Sequence, residues 1–110
     1  MIVIGLGRIG LHYAFDSKRP QPASHVSAIM HNSYLNLIGV CDPNLDSLKK
    51  FHQTYGKQII SEPDHITLLK NIKKESLDFD IVVIATPEDT HYKIIKYFIS
   101  IFKETKKKKI

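Results

Sequence analysis

Residues 1–10 read M-I-V-I-G-L-G-R-I-G, a short β-branched run that breaks directly into three glycines, Gly5, Gly7 and Gly10, at the spacing G-x-G-x-x-G. A strand that passes through such a spacing into a helix is the dinucleotide-binding fingerprint. Each glycine has its own task there. Gly5 lets the chain turn sharply, Gly7 lets the backbone approach a pyrophosphate with no Cβ in the way, and Gly10 lets the helix pack closely on the strand. The phosphate would rest on the helix N-terminus, where unpaired N–H groups and the dipole favour negative charge. Arg8 and Ile9, inside the turn, therefore join the glycines as candidate cofactor contacts. Glycines also mark ordinary turns, so the spacing needs support from the rest of the chain.

Residues 11–15 can continue a helix for about a turn, but residues 16–24, D-S-K-R-P-Q-P-A-S, carry two prolines and cannot. This predicts a loop inserted where most such folds have one unbroken helix. Ser24 can cap a second helix over residues 25–32, with Val26, Ile29 and Met30 as its apolar face. Residues 36–42, N-L-I-G-V-C-D, read as a buried strand that ends in an acid. In the fingerprint a carboxylate about 20 residues beyond the glycines, at the end of the second strand, accepts hydrogen bonds from the adenosine ribose. Asp42 has that position but lies 32 residues after Gly10, an excess for which the inserted loop mostly accounts. The competing reading makes Asp42 a helix cap or a turn residue before Pro43. No Arg follows closely to hold a 2′-phosphate, and a carboxylate would repel one, so NAD is expected rather than NADP.

Leu45–Tyr55 has the pattern of an amphipathic helix, with Leu45, Leu48 and Phe51 inside, Lys49 and Lys50 outside and Gly56 as its stop. Residues 58–61 form a short strand. Residues 61–64, S-E-P-D, have the form of a capping box and open a helix whose Ile66, Leu69 and Ile72 point inward. Residues 80–85, D-I-V-V-I-A, are the most apolar strand and suit an interior parallel position. Thr86 can cap the last helix, Pro87 suits its first position, and Glu88 and Asp89 complement the dipole; Tyr92, Ile95 and Ile99 would face the sheet. Four strands alternating with helices imply right-handed crossovers and a parallel sheet.

The composition is that of a globular α/β domain, with 43% hydrophobic and 25% charged residues. The formal charge of +5 is concentrated at the end: residues 106–109 supply four of the sixteen cations, and the remaining twelve stand against eleven acids. A basic face for nucleic acid is therefore not expected, and the lysine-rich tail at 106–110 reads as a solvated end. Cys41, the single cysteine, sits in an apolar run and reads as a buried, unreactive thiol, which leaves no disulfide or multi-cysteine metal site. No signal peptide or membrane span is evident, so a cytoplasmic location is expected. His12, His31, His52 and His65 have no partner at metal-ligand spacing and read as packing or surface residues. Lys18 and Arg19 follow the glycine turn, where they can meet a phosphate or an anionic substrate or simply sit in a solvated loop.

With these pieces placed, the chain resembles the N-terminal half of the glucose–fructose oxidoreductase and inositol dehydrogenase family, Gfo/Idh/MocA. Four stretches carry the resemblance: G-L-G-R-I-G at 5–10, V-C-D at 40–42, F-H-Q-T-Y-G at 51–56 and D-I-V-V-I-A-T-P-E-D-T-H at 80–91. It implies a Rossmann-like, doubly wound parallel sheet over residues 1–105. It also implies that Thr86 and Pro87 line the cofactor cleft near the nicotinamide, with His91 supporting that loop. His25 resembles a family histidine near the cleft. The implied activity moves a hydride to or from a hydroxyl-bearing carbon of a sugar, polyol or nucleotide sugar.

The same resemblance marks what is not in the chain. Such proteins place a Glu-Lys-Pro motif, whose lysine takes part in proton transfer, at the end of the next strand, and hold substrate with a further sheet domain. Residues 106–110 fall about where that strand would begin, so the expectation is an incomplete Rossmann half, truncated after about four strands. It would carry no catalytic residue and meet its small-molecule substrate only in an intact enzyme. The alternative is a stand-alone nucleotide-sensing module without catalysis. In the strand order 3-2-1-4, residues 80–85 become an edge despite their interior character, so self-association or poor solubility is expected.

Overall fold

The computed structural model describes residues 1–7, 10, 12–22, 24–56 and 58–102, with Tyr13 described in its backbone alone. The expectations that fall on Arg8, Ile9, Leu11 and the lysine tail lie outside the described residues. Four short strands, β1 (Ile2–Ile4), β2 (Gly39–Cys41), β3 (Ile60–Glu62) and β4 (Val82–Ile84), form one parallel sheet in the order β3-β2-β1-β4. Four α-helices, α1 (His25–Met30), α2 (Leu45–Tyr55), α3 (His65–Lys74) and α4 (Glu88–Phe102), pack on it. This is the α/β, Rossmann-like arrangement expected.

The strand pleat decides which helix goes where, because alternate side chains point to opposite faces. Val3 and Val40 join Val26 and Ile29 of α1 and Leu48 and Phe51 of α2 in one core. Ile2, Ile4, Cys41 and Val82 join Leu68 and Ile72 of α3 and Ile94 and Phe98 of α4 in the other. The strand order runs outward from β1 through β2 to β3 and then jumps back across β1 to β4, so the direction reverses between β1 and β4. In open α/β sheets, ligands bind at the carboxyl ends of the strands beside such a reversal. β4 is an edge, as expected, and Val83 and Ile84 are only partly covered.

Local chemistry accounts for the boundaries. Residues 12–15 make a single 3-10 turn before the proline-bearing loop. Ser24 then caps α1 in a reciprocal box with Ser27, each hydroxyl accepting the other residue's backbone N–H. Gly56, at φ 97°, ends α2 as expected.

Several expected details are corrected. Ser61 does not cap α3; it lies in β3, where its hydroxyl pairs with His52 Nε2 at 2.7 Å. Asp64 is the cap, with Oδ1 accepting the Thr67 N–H at 2.7 Å. Packing turns Leu68 and Ile72 inward and leaves Ile66 exposed. Thr86 does not cap α4 either, because its hydroxyl finds no partner. Tyr92, 77% exposed, and Ile99 turn outward while Ile94 and Phe98 turn inward. The Phe98 ring meets Phe79 edge-on at 6.3 Å and Phe102 at 5.9 Å, an aromatic cluster that fixes the rotation of α4. Leu45, 71% exposed, and Met30 also face outward, and Ser47 and Ser27 take the buried places.

Candidate functional site

Gly5 leaves β1 with its N–H on the Cys41 carbonyl oxygen at 2.8 Å, while Ala85 N–H donates to the Ile4 carbonyl oxygen at 2.7 Å. The turn is thus stitched to both neighbouring strands. The three glycines are required by different things. Gly5 has φ +103°, and a Cβ there would stand 2.7 Å from the Ala85 backbone carbonyl. A Cβ on Gly10 would fall on the Gly5 carbonyl oxygen. A Cβ on Gly7 would meet nothing within 4 Å. The protein itself demands glycine at positions 5 and 10, whereas position 7 is bare against open space.

The inserted loop does not detach the helix that follows it. Val26 N–H, in the first turn of α1, donates to the Gly10 carbonyl oxygen at 3.0 Å. The interrupted helix therefore resumes against the glycine turn, which explains how the fingerprint tolerates the long separation between Gly10 and Asp42.

Asp42 stands one residue beyond β2, and both its oxygens are in use. Oδ2 accepts the Leu6 N–H at 2.7 Å and Oδ1 accepts the Asn44 N–H at 2.8 Å. The second bond is the turn role weighed for it; the first fastens the glycine turn. A carboxylate oxygen offers two lone pairs, so acceptor capacity remains on each. Asn44, not Asp42, caps α2.

At the end of β4, His91 Nε2 lies 2.6 Å from the Thr86 carbonyl oxygen, which calls for the Nε2–H tautomer and anchors the loop to the first turns of α4. The Thr86 hydroxyl oxygen is buried with no hydrogen-bond partner. Such an atom costs stability unless something meets it.

Gly5, Gly7, Asp42 and Thr86 meet at one cleft of about 500 Å³, and Gly10 and His91 are not among the residues that line it. Its walls are the carboxyl ends of all four strands: Gly5 and Gly7 after β1, Asp42 and Pro43 after β2, Pro63, Asp64 and His65 after β3, and Ala85, Thr86 and Pro87 after β4. Thr90 and Ile94 of α4 close one side. A larger groove of about 620 Å³ between α3 and α4 carries none of the fingerprint groups.

Pro63, Asp64 and His65 were not expected there. The signal was available, since the rule that points to the ends of β2 and β4 applies equally to β3. Thr67 holds the Asp64 carboxyl below its usual range by accepting neither charge nor proton but donating its backbone N–H and hydroxyl to it. Burial pushes the His65 imidazole down, against the pull of Asp64, and its ring lies edge-on to Tyr97 at 4.8 Å. Burial pushes the Cys41 thiol up to about 12, with Asp42 and Asp64 adding to the effect, so it is no nucleophile near neutral pH.

Other candidates fall elsewhere. His25 is not among the residues lining the cleft, and neither are Lys18 and Arg19. Arg19 lies 3.3 Å from Asp16 in an exposed pair. His12 and His31 are held by Ser47 and by the Ser27 carbonyl oxygen. Among the described residues no three His, Cys, Asp or Glu side chains are grouped to hold a metal ion, and no helix is long and apolar enough to cross a membrane.

A family model described as an oxidoreductase family with an NAD-binding Rossmann fold, Gfo/Idh/MocA, matches residues 1–105. Neither the curated proteins nor the solved structures give a match.

Proposed function

The chain belongs to the Gfo/Idh/MocA oxidoreductase family, whose NAD-binding Rossmann domain it carries over residues 1–105, and from that premise we propose how its cleft holds the dinucleotide. The observation that carries the reading is the contrast among the three glycines of the turn: among the described residues nothing stands where a Cβ on Gly7 would go, and Gly7 lines the cleft. A missing side chain at that point leaves room for a pyrophosphate against the backbone. Gly5 and Gly10 shape the turn, and Arg8 and Ile9 are proposed from the sequence as further contacts. Asp42 would take the ribose hydroxyls, and its charge favours NAD over NADP. Thr86 and Pro87 would line the nicotinamide side, and His91 would hold their loop in place. The buried Thr86 hydroxyl fits a bound polar group, since it otherwise has no partner.

When bound, the cofactor supplies hydride transfer, to or from a hydroxyl-bearing carbon of a sugar, polyol or nucleotide sugar in this reading. In this reading the residues that line the cleft bind and orient it.

The test is a fluorescence titration of the chain with NADH. A saturable change is expected, together with its loss in Gly7→Val at an unchanged melting temperature, because the new side chain enters open space. No saturable change in the parent chain, or equal binding by Gly7→Val, would overturn the proposal.

A further inference from the structure

Asp42 is not the only carboxylate at this end of the sheet. β2 and β3 are paired with Cys41 opposite Glu62, and the pairing continues as Asp42 N–H donates to the Glu62 carbonyl oxygen at 3.2 Å. The two chains therefore leave the sheet side by side, strands in such a ladder lying about 4.8 Å apart. Both turn into the same cleft, one with Asp42 and Pro43, the other with Pro63 and Asp64.

We infer that Asp64 is a second determinant of cofactor choice, acting with Asp42 to exclude a dinucleotide that carries a 2′-phosphate; the inference rests on the dinucleotide reading of the cleft given above. Asp64 is fixed rather than swinging free. Its Oδ1 accepts the Thr67 N–H at 2.7 Å and its Oδ2 accepts the Thr67 hydroxyl at 2.9 Å. The same bonds favour its ionised form. No lysine or arginine is among the described residues lining the cleft, although the Lys93 charge acts on His65 in its wall. His65, the basic side chain there, is driven toward neutrality by burial. The thiol of Cys41 lies within the field of both carboxylates, which places their charges on a common region. A phosphate monoester brings nearly two negative charges near pH 7. Repulsion from two fixed carboxylates then sets specificity against it, while a ribose hydroxyl is accepted. Removing the Asp42 charge alone leaves Asp64 in place and does not convert the site.

The experiment compares NADH and NADPH titrations of the chain with those of Asp64→Asn and Asp64→Ser, both side chains that cap helices well and so preserve α3. The expected result is a gain in NADPH affinity of about fivefold or more, with NADH affinity changed less than about twofold. Raising the salt concentration should narrow the NADPH-to-NADH ratio in the parent chain more than in either variant. A ratio unchanged in both variants while NADH still binds overturns the inference and leaves Asp64 a helix cap only. A parent chain that binds neither nucleotide overturns the dinucleotide reading and this inference with it.

Discussion

The Asp42 carboxylate accepts the backbone N–H of Leu6 at 2.7 Å, so the group proposed to meet a ribose also fastens the glycine turn to the end of β2. Leu6 is fully buried, and its N–H has no water to fall back on. Asp42→Ala should therefore cost about 1–3 kcal/mol, a fall of several degrees in melting temperature for a domain of this size. Asp42→Asn keeps an acceptor for Leu6 and should retain most of that stability while weakening NADH binding. Thermal melts beside titrations separate the two roles; an Asp42→Ala protein as stable as the parent would show that the bond to Leu6 contributes little.

The glycine contrast gives a second expectation, in stability alone. Gly5→Ala forces a left-handed φ on a residue with a side chain and drives it onto the Ala85 carbonyl, and Gly10→Ala drives a methyl onto Gly5. Each should lower stability by about 2 kcal/mol or more. Gly7→Ala should leave it within about 0.5 kcal/mol. Chemical denaturation of the three variants checks the order, and a Gly7→Ala variant as unstable as the others would contradict it.

Thr86→Val removes the hydroxyl that has no partner. Without ligand it should be neutral or stabilising by up to about 1 kcal/mol, because a desolvated, unpaired oxygen disappears. NADH affinity should fall about fivefold if that oxygen meets the cofactor as proposed. A variant that binds NADH as the parent does would leave the hydroxyl with no role in the cleft.

The Cys41 thiol gives a pH signature. Its folded pKa, about 12, stands above the ordinary value of 9.0, so the unfolded chain loses this proton first as pH rises. The thiol's contribution to stability is complete below pH 9 and drains away between pH 9 and 12, by up to about tenfold in the folding equilibrium per unit. Cys41→Ala should flatten that part of the stability curve. In the folded protein at pH 8 the thiol should react slowly with iodoacetamide and become accessible only with denaturant.

Much of this architecture was legible from side-chain chemistry because the decisive signals are local. The β-branched run ahead of Gly5 reads as a strand, and α2 stops at Gly56 as its pattern announces, although Asn44 rather than Asp42 caps its start. The rotation of α3 and α4 was not legible. Tyr92, Ile94, Ile95, Tyr97, Phe98, Ile99, Ile101 and Phe102 wrap apolar groups around almost the whole of α4, so spacing alone offers two stripes of equal merit. Contact with Phe79, distant in sequence, makes the choice. In α3 Ile66, Leu68, Leu69 and Ile72 likewise offer more than one face, and packing on the sheet chooses Leu68 and Ile72. The end of β3 was missed as part of the cleft because residues 61–64 read first as the capping box of α3.

The open edge of β4 bears on assembly. Val83 is half-covered, and among the described residues no strand pairs with the outer side of β4. We propose that copies of the chain associate there, since unpaired apolar edges invite further strands. Sedimentation velocity should show a coefficient that rises with concentration, and Val83→Lys should suppress the rise. A monomer at high concentration would count against this arrangement.

The amino end of β1 offers a practical handle. The Met1 ammonium donates to the Asn36 carbonyl oxygen at 2.6 Å, on the side of the sheet away from Gly5, with only the three residues of β1 between them. At about 3.3 Å per residue, the sheet is a plate roughly 10 Å thick along its strands. A linker joined at Met1 would tether the chain by its back, leaving the cleft turned toward solution. Surface-immobilised binding measurements can therefore be oriented by chain connectivity alone, with no coupling chemistry on the lysines.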